Sequence, residues 1–131
     1  MPAFVDTNIV VYAFGKDAAK VETAESILGN QPTISVQVIN EFLSVCRVKL
    51  GFDLATRHRL ASELLAGCNV VALDLRVVEK AMEIESQSGI AYWDALIVAA
   101  AILSGCDTLY SEDLQHLSVF DGLLTVVNPF V

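Results

Sequence analysis

The sequence predicts an α/β fold: a single-domain, three-layer α/β/α sandwich around a mainly parallel sheet. Three observations carry that prediction. Short apolar, β-prone runs alternate with helix-length stretches along the whole chain, the order that a parallel sheet with crossover helices requires. Several of the short runs show no polar alternation, as expected of strands covered by helices on both faces. The chain has 131 residues, 54% of them hydrophobic. That is enough for one core and too little for a second of ordinary size, so residues 1–131 are expected to form one domain.

The elements follow in order. Ala3-Phe4-Val5 is short, apolar and ends at Asp6, and reads as a buried strand. Residues 8–14 are β-prone by composition. A strand–turn–helix needs only Asp6-Thr7 as its turn, however, so a helix is expected there, capped by Thr7 and stopped by Gly15. Residues 18–28 place Val21, Ala24, Ile27 and Leu28 at helical period, and Gly29-Asn30 closes that helix. Residues 32–35 form a second short strand. In the helix predicted over 36–50, Val38, Ile39, Phe42, Leu43 and Cys46 make one stripe, and Gly51 ends it. A helix over 54–66 closes at Gly67. Residues 70–73 have β-branched strand character. The next helix spans 75–88, with Val78, Ala81, Met82 and Ile84 expected inward and Gly89 as its stop. An almost wholly apolar helix covers 93–104. Residues 108–110 form a strand followed directly by Ser111-Glu112-Asp113. Residues 124–127 form a last strand, beyond which Pro129 forbids helical continuation.

Composition narrows the function. The longest apolar run, 95–105, is too short to span a bilayer and reads as a buried core helix. The start lacks the charged and apolar regions of a secretory signal. No membrane association and a cytoplasmic location are therefore expected. Cys46, Cys68 and Cys106 are isolated among apolar neighbours. That argues against a disulfide framework or a zinc knuckle and for buried reduced thiols. Sixteen acids against eight bases give a formal charge of −8, the wrong sign for holding nucleic acid by bulk electrostatics. A divalent metal or a basic patch could offset that locally. Arg47, Lys49, Arg57 and Arg59 form such a patch, although alone they read as a solvated helix face.

The acids are the informative residues. Parallel α/β sheets place their sites at the carboxyl ends of strands. Asp6 ends the first strand and Asp113 lies just beyond the 108–110 strand. Asp94 stands in the first turn of the 93–104 helix, where the helix dipole favours a carboxylate. Glu41 borders the apolar stripe of the 36–50 helix, where an acid needs a partner. Taken singly, each has a bland reading as a turn or helix cap, a helix-start acid or a solvated side chain. Convergence of all four at one sheet edge is a rarer accident. Crowded carboxylates raise one another's pKa, and a divalent ion compensates. Oxygen-only ligands select Mg²⁺ or Mn²⁺ over zinc, and such an ion supports hydrolysis of a phosphodiester.

The chain resembles the PIN domain family, and within it the VapC-type toxin ribonucleases of bacterial and archaeal toxin–antitoxin pairs. The resemblance rests on four pieces in order, spanning nearly the whole chain. They are Val5-Asp6-Thr7-Asn8, then residues 35–42 (SVQVINEF), 92–101 (YWDALIVAAA) and 109–114 (LYSEDL). It implies a Mg²⁺- or Mn²⁺-dependent ribonuclease that leaves 3′-hydroxyl and 5′-phosphate ends. Asp6, Glu41, Asp94 and Asp113 match the family's acidic quartet. In that correspondence Asp6 and Asp94 are the main direct ligands. Glu41 and Asp113 complete the site through waters or at a second metal. Thr7, Asn8 and Ser111 match small polar positions that orient the acids, with Ser111 where the family often has Thr. The family also implies a homodimer and silencing by a small VapB-like antitoxin. On that view the basic residues at 47–59 contact either RNA phosphates or an acidic stretch of the antitoxin.

Other classes fit less well. A haloacid-dehalogenase-type phosphatase needs a second Asp two residues after the first, where Asn8 stands. A receiver domain needs a Lys late in the chain, and no Lys follows Lys80. A catalytically idle PIN-like scaffold that binds a protein partner is the remaining alternative. It gives no reason to crowd carboxylates.

Overall fold

The computed structural model describes residues 2–131; Met1, the first residue of the expected 1–131 domain, lies outside the described residues. The chain order is β1 (Ala3–Val5), α1 (Thr7–Tyr12), α2 (Ala18–Leu28), β2 (Thr33–Ser35), α3 (Val36–Val48), α4 (Leu54–Gly67), β3 (Asn69–Val71), α5 (Leu75–Ser88), α6 (Tyr92–Leu103), β4 (Thr108–Tyr110), β5 (Val119–Phe120) and β6 (Leu124–Val127). The six strands form one sheet in the order β3-β2-β1-β4-β6-β5. Every pairing is parallel except that of β5 with β6.

The topology explains where a site can form. From β1 the chain moves outward through β2 to β3, then crosses back past β1 to β4. With right-handed crossovers, α1–α4 cover one face of the sheet and α5–α6 the other. The packing agrees: α1 sits on α2 and α3, α3 on α4, and α5 on α6. The direction reverses between β1 and β4, and the sheet opens a crevice at the carboxyl ends of those two strands. Their register is Phe4 opposite Leu109 and Val5 opposite Tyr110, and the Asp6 N–H donates to the Tyr110 carbonyl at 2.9 Å.

The core joins the strand residues Phe4, Val5, Ile34, Leu109, Leu124 and Val126 to the unbroken buried run Ala95–Ala101 of α6. From the opposite layer, Ile9, Val10, Val38, Phe42 and Cys46 pack inward. Buried thiols were expected at all three cysteines. Cys46 and Cys106 are buried, Cys68 is half-buried, and all three are free. Among the described residues no single helix is long and apolar enough to cross a membrane.

Several local expectations are corrected. Asp6, not Thr7, is the N-cap of α1, because its carboxylate takes the Thr7 N–H while the Thr7 hydroxyl is engaged elsewhere. The α1 helix ends at Tyr12, short of Phe14, and β3 begins at Asn69 and stops at Val71, short of Leu73. In α5 the buried residues are Val77, Ala81 and Ile84, while Val78 and Met82 are exposed. The helix carries two apolar rows one residue apart, and periodicity alone does not say which meets α6. No helix follows Asp113. Instead the chain forms β5, a strand not expected from the sequence. A tight turn follows, in which Asp121 and Gly122 both have positive φ and the Leu123 N–H donates to the Phe120 carbonyl. Asp-Gly suits such a turn because both central residues must tolerate the left-handed region. An ion pair between Lys80 of α5 and Asp121 ties the hairpin to the helix layer.

Candidate active site

Asp6, Glu41, Asp94 and Asp113 line one open cavity of about 560 Å³ at the crevice between β1 and β4. Each arrives there for a local reason. Asp6 is the residue at which β1 stops and α1 starts, so its backbone is fixed from both sides. Glu41 sits on α3 beside the buried Phe42. Asp94 lies in the first turn of α6, a helix start with no side-chain cap. Asp113 follows β4 by three residues.

The small polar residues hold the acids. Asp6 is 5% exposed. Its Oδ1 accepts from the Thr7 N–H at 2.7 Å and its Oδ2 from the Ser111 hydroxyl at 2.8 Å. The Asn8 amide reaches the same Oδ2 at 3.5 Å. The Thr7 hydroxyl donates to Glu41 Oε1 at 2.6 Å, joining α1 to α3. Ser111 Oγ also accepts the Asp113 N–H at 3.2 Å, and Asn8 Oδ1 accepts the Glu112 N–H at 3.2 Å. Two adjacent residues of α1 therefore fix groups on α3 and on the loop after β4.

Burial pushes the Asp6 carboxyl up to about 6. The Ser111 and Thr7 hydrogen bonds oppose that rise, and the negative charges of Asp113 and Glu41 add to it. Asp94 is also raised, first by burial and then by Asp113 and Glu41. The cavity thus disfavours the ionised form of Asp6 and of Asp94.

The cavity wall also holds residues that the sequence reading did not assign to the site, among them Glu112 and Trp93. Glu112 is a fifth carboxylate on its wall, and its buried Oε2 has no hydrogen-bond partner. Trp93, next to Asp94, also lines it. The signal for both was adjacency to an acid already singled out. Of the four basic residues, only Lys49 reaches the cavity wall. Arg57 donates to the Phe52 carbonyl at 2.8 Å and Arg59 pairs with Glu63 at 3.4 Å along α4. Arg47 is exposed in the last turn of α3. A further cation lies beside Tyr12, which lines the cavity: Lys20 Nζ donates to the Tyr12 hydroxyl at 3.2 Å. It also lies over the Tyr12 and Phe130 rings, at 4.4 and 5.2 Å from their centroids.

The donor set tests the fit to a metal. Every candidate ligand is a carboxylate oxygen, suited to a hard divalent cation and unsuited to zinc. Among the described residues no three His, Cys, Asp or Glu side chains converge tightly enough to hold an ion by themselves. The residues therefore fit an ion carried by one or two carboxylates and several waters, which is how Mg²⁺ commonly binds.

An α/β fold with a carboxylate-lined crevice at its switch point defines the class of protein. A family model for the PIN domain matches residues 3–121, and the chain belongs to the PIN domain family. A comparison with curated proteins finds no match. Among solved structures, a chain of a toxin–antitoxin complex from Klebsiella pneumoniae is similar, with 22% identity, 97% of each chain covered and a TM-score of 0.72. FitAcB from Neisseria gonorrhoeae is similar at 20% identity, 98% of each chain and a TM-score of 0.75. VapC20 of Mycobacterium tuberculosis, described as a sarcin-ricin loop cleaving toxin, matches at 20% identity over 85% of this chain and 89% of its own, with a TM-score of 0.65.

Proposed function

We propose that the protein is a Mg²⁺- or Mn²⁺-dependent endoribonuclease and the toxin of a type II toxin–antitoxin pair. The observation that carries this reading is the gathering of Asp6, Glu41, Asp94 and Asp113 on one cavity wall, in an oxygen-only donor set. In this reading Asp6 and Asp94 hold the ion, and Glu41 and Asp113 act through water or at a second ion. When bound, the ion supplies a competent water nucleophile near neutral pH and stabilises charge on the phosphoryl oxygen. The chain's own groups do the rest. Ser111 and the Thr7 N–H favour the ionised form of Asp6. Thr7 fixes Glu41, and Asn8 tethers the loop that carries Glu112 and Asp113. Lys49 offers a cation to an RNA phosphate at the cavity wall.

The partners in this reading are RNA, a VapB-like antitoxin and a second copy of the chain, with residues 1–131 acting as one cytoplasmic domain. The exposed row Leu75, Val78 and Met82 on α5 supports a face that another chain covers. The toxin–antitoxin complex from Klebsiella pneumoniae among the structural neighbours supports the antitoxin. An idle scaffold has one feature in its favour, the lack of three converging donors among the described residues.

Purified protein incubated with total RNA separates these readings. Cleavage with Mn²⁺ that EDTA and Asp94→Asn both abolish is the expected result. A protein that leaves RNA intact yet binds its partner equally well after Asp94→Asn is the scaffold.

A further inference from the structure

Trp93 is the chain's only tryptophan, and it is 67% exposed. An isolated exposed apolar residue needs no explanation, but the position of this one does. It stands in the first turn of α6, immediately before Asp94, and lines the same cavity as the acids. Its backbone is anchored from the opposite layer, because buried Gln37 donates its side-chain amide to the Trp93 carbonyl at 3.1 Å. Its ring is braced edge-on by Tyr92, with centroids 5.8 Å apart at 72°. The indole is thus held by its neighbours and left open to solvent at the edge of the acidic crevice.

We propose that Trp93 is a stacking platform for a nucleobase next to the scissile phosphate, so that the site takes single-stranded RNA with an unpaired base. The inference rests on the ribonuclease reading. A chain of net charge −8 gains little from general attraction to a polyanion. Stacking on an aromatic ring depends on no charge and tolerates any base, and it is how proteins commonly grip unpaired RNA. A base inside a duplex is already stacked on its neighbours and is not available to the indole. Lys49 on the cavity wall takes the adjoining backbone charge while Trp93 takes the base.

The single tryptophan provides its own reporter. Wild-type protein is titrated in EDTA with mixed-sequence single-stranded oligoribonucleotides and with the same strands as duplexes, and its fluorescence is followed. Hydrolysis of the single strands with Mn²⁺ is then compared for wild type, Trp93→Ala and Trp93→Phe. The expected results are quenching by single strands and not by duplexes, and a rise in KM of roughly tenfold for Trp93→Ala. Trp93→Phe should recover most of that loss, and an abasic nucleotide beside the cleaved bond should erase the difference between wild type and Trp93→Ala. An absence of quenching, or an unchanged KM in Trp93→Ala, overturns the proposal whether or not RNA is cut. Quenching that follows protein concentration rather than RNA also overturns it and assigns the ring to an interface between copies. Quenching by single strands without hydrolysis supports the platform and overturns the ribonuclease reading.

Discussion

Ser111 Oγ donates to Asp6 Oδ2 at 2.8 Å, joining the end of β4 to the end of β1 across 105 positions of sequence. Both residues are buried, with Ser111 fully so. The bond stabilises the ionised carboxylate, yet burial still wins and pushes Asp6 up to about 6 from 3.8.

That competition sets a pH dependence for the metal-free protein. A carboxylate with a raised pKa makes the folded state bind more protons than the unfolded chain. The contribution of Asp6 to stability therefore falls as pH rises from 3.8 to about 6 and levels off above that. The fall is up to about 3 kcal/mol. Over that range the urea midpoint of the wild type in EDTA should fall relative to that of Asp6→Asn. Equal slopes would show that Asp6 does not carry the effect.

Thr7→Val removes the hydroxyl that holds Glu41 Oε1 at 2.6 Å while keeping the side-chain shape. RNA cleavage should fall by about tenfold, the usual cost of losing a group that orients a ligand. Thr7→Ser should restore most of it. Circular dichroism should show both variants folded, and full activity in Thr7→Val would remove Glu41 positioning from the account.

Lys49 is the one residue of the 47–59 basic group on the cavity wall. Lys49→Ala should weaken RNA binding and reduce the salt dependence of its affinity by about one ion. Arg59→Ala should change neither, since Arg59 faces Glu63 on α4. Fluorescence anisotropy against salt concentration measures both.

The two apolar rows of α5 can be told apart by truncation. Val77→Ala empties buried space and should cost roughly 2 kcal/mol. Met82→Ala, at a residue 52% exposed, should stay within about 0.5 kcal/mol. The reverse order in denaturant melts would mean that the expectation of an inward Met82 was right.

Those rows show where sequence reading stops. The sheet was legible because Phe4-Val5 and Leu109 sit in short runs that only a strand covered on both faces explains. The candidate acids were legible because strand ends and helix starts share one edge. What escaped needed tertiary contact. The choice between Val77 and Val78 is made by α6, and the capture of the Thr7 hydroxyl by Glu41 lies across 34 positions. The β5–β6 hairpin is different: β6 was legible over 124–127 and Asp121-Gly122 is a turn signal in the sequence itself, but β5 is only two residues long, too short for a recognisable strand pattern.

The central claim is tested most directly by mapping RNA 5′-phosphate ends in cells that express the protein without an antitoxin, beside cells expressing Asp94→Asn at the same level. New ends found only with the unmodified protein are the predicted result, and they name the substrate. Identical ends in the two cultures, with both proteins soluble, would contradict the ribonuclease reading.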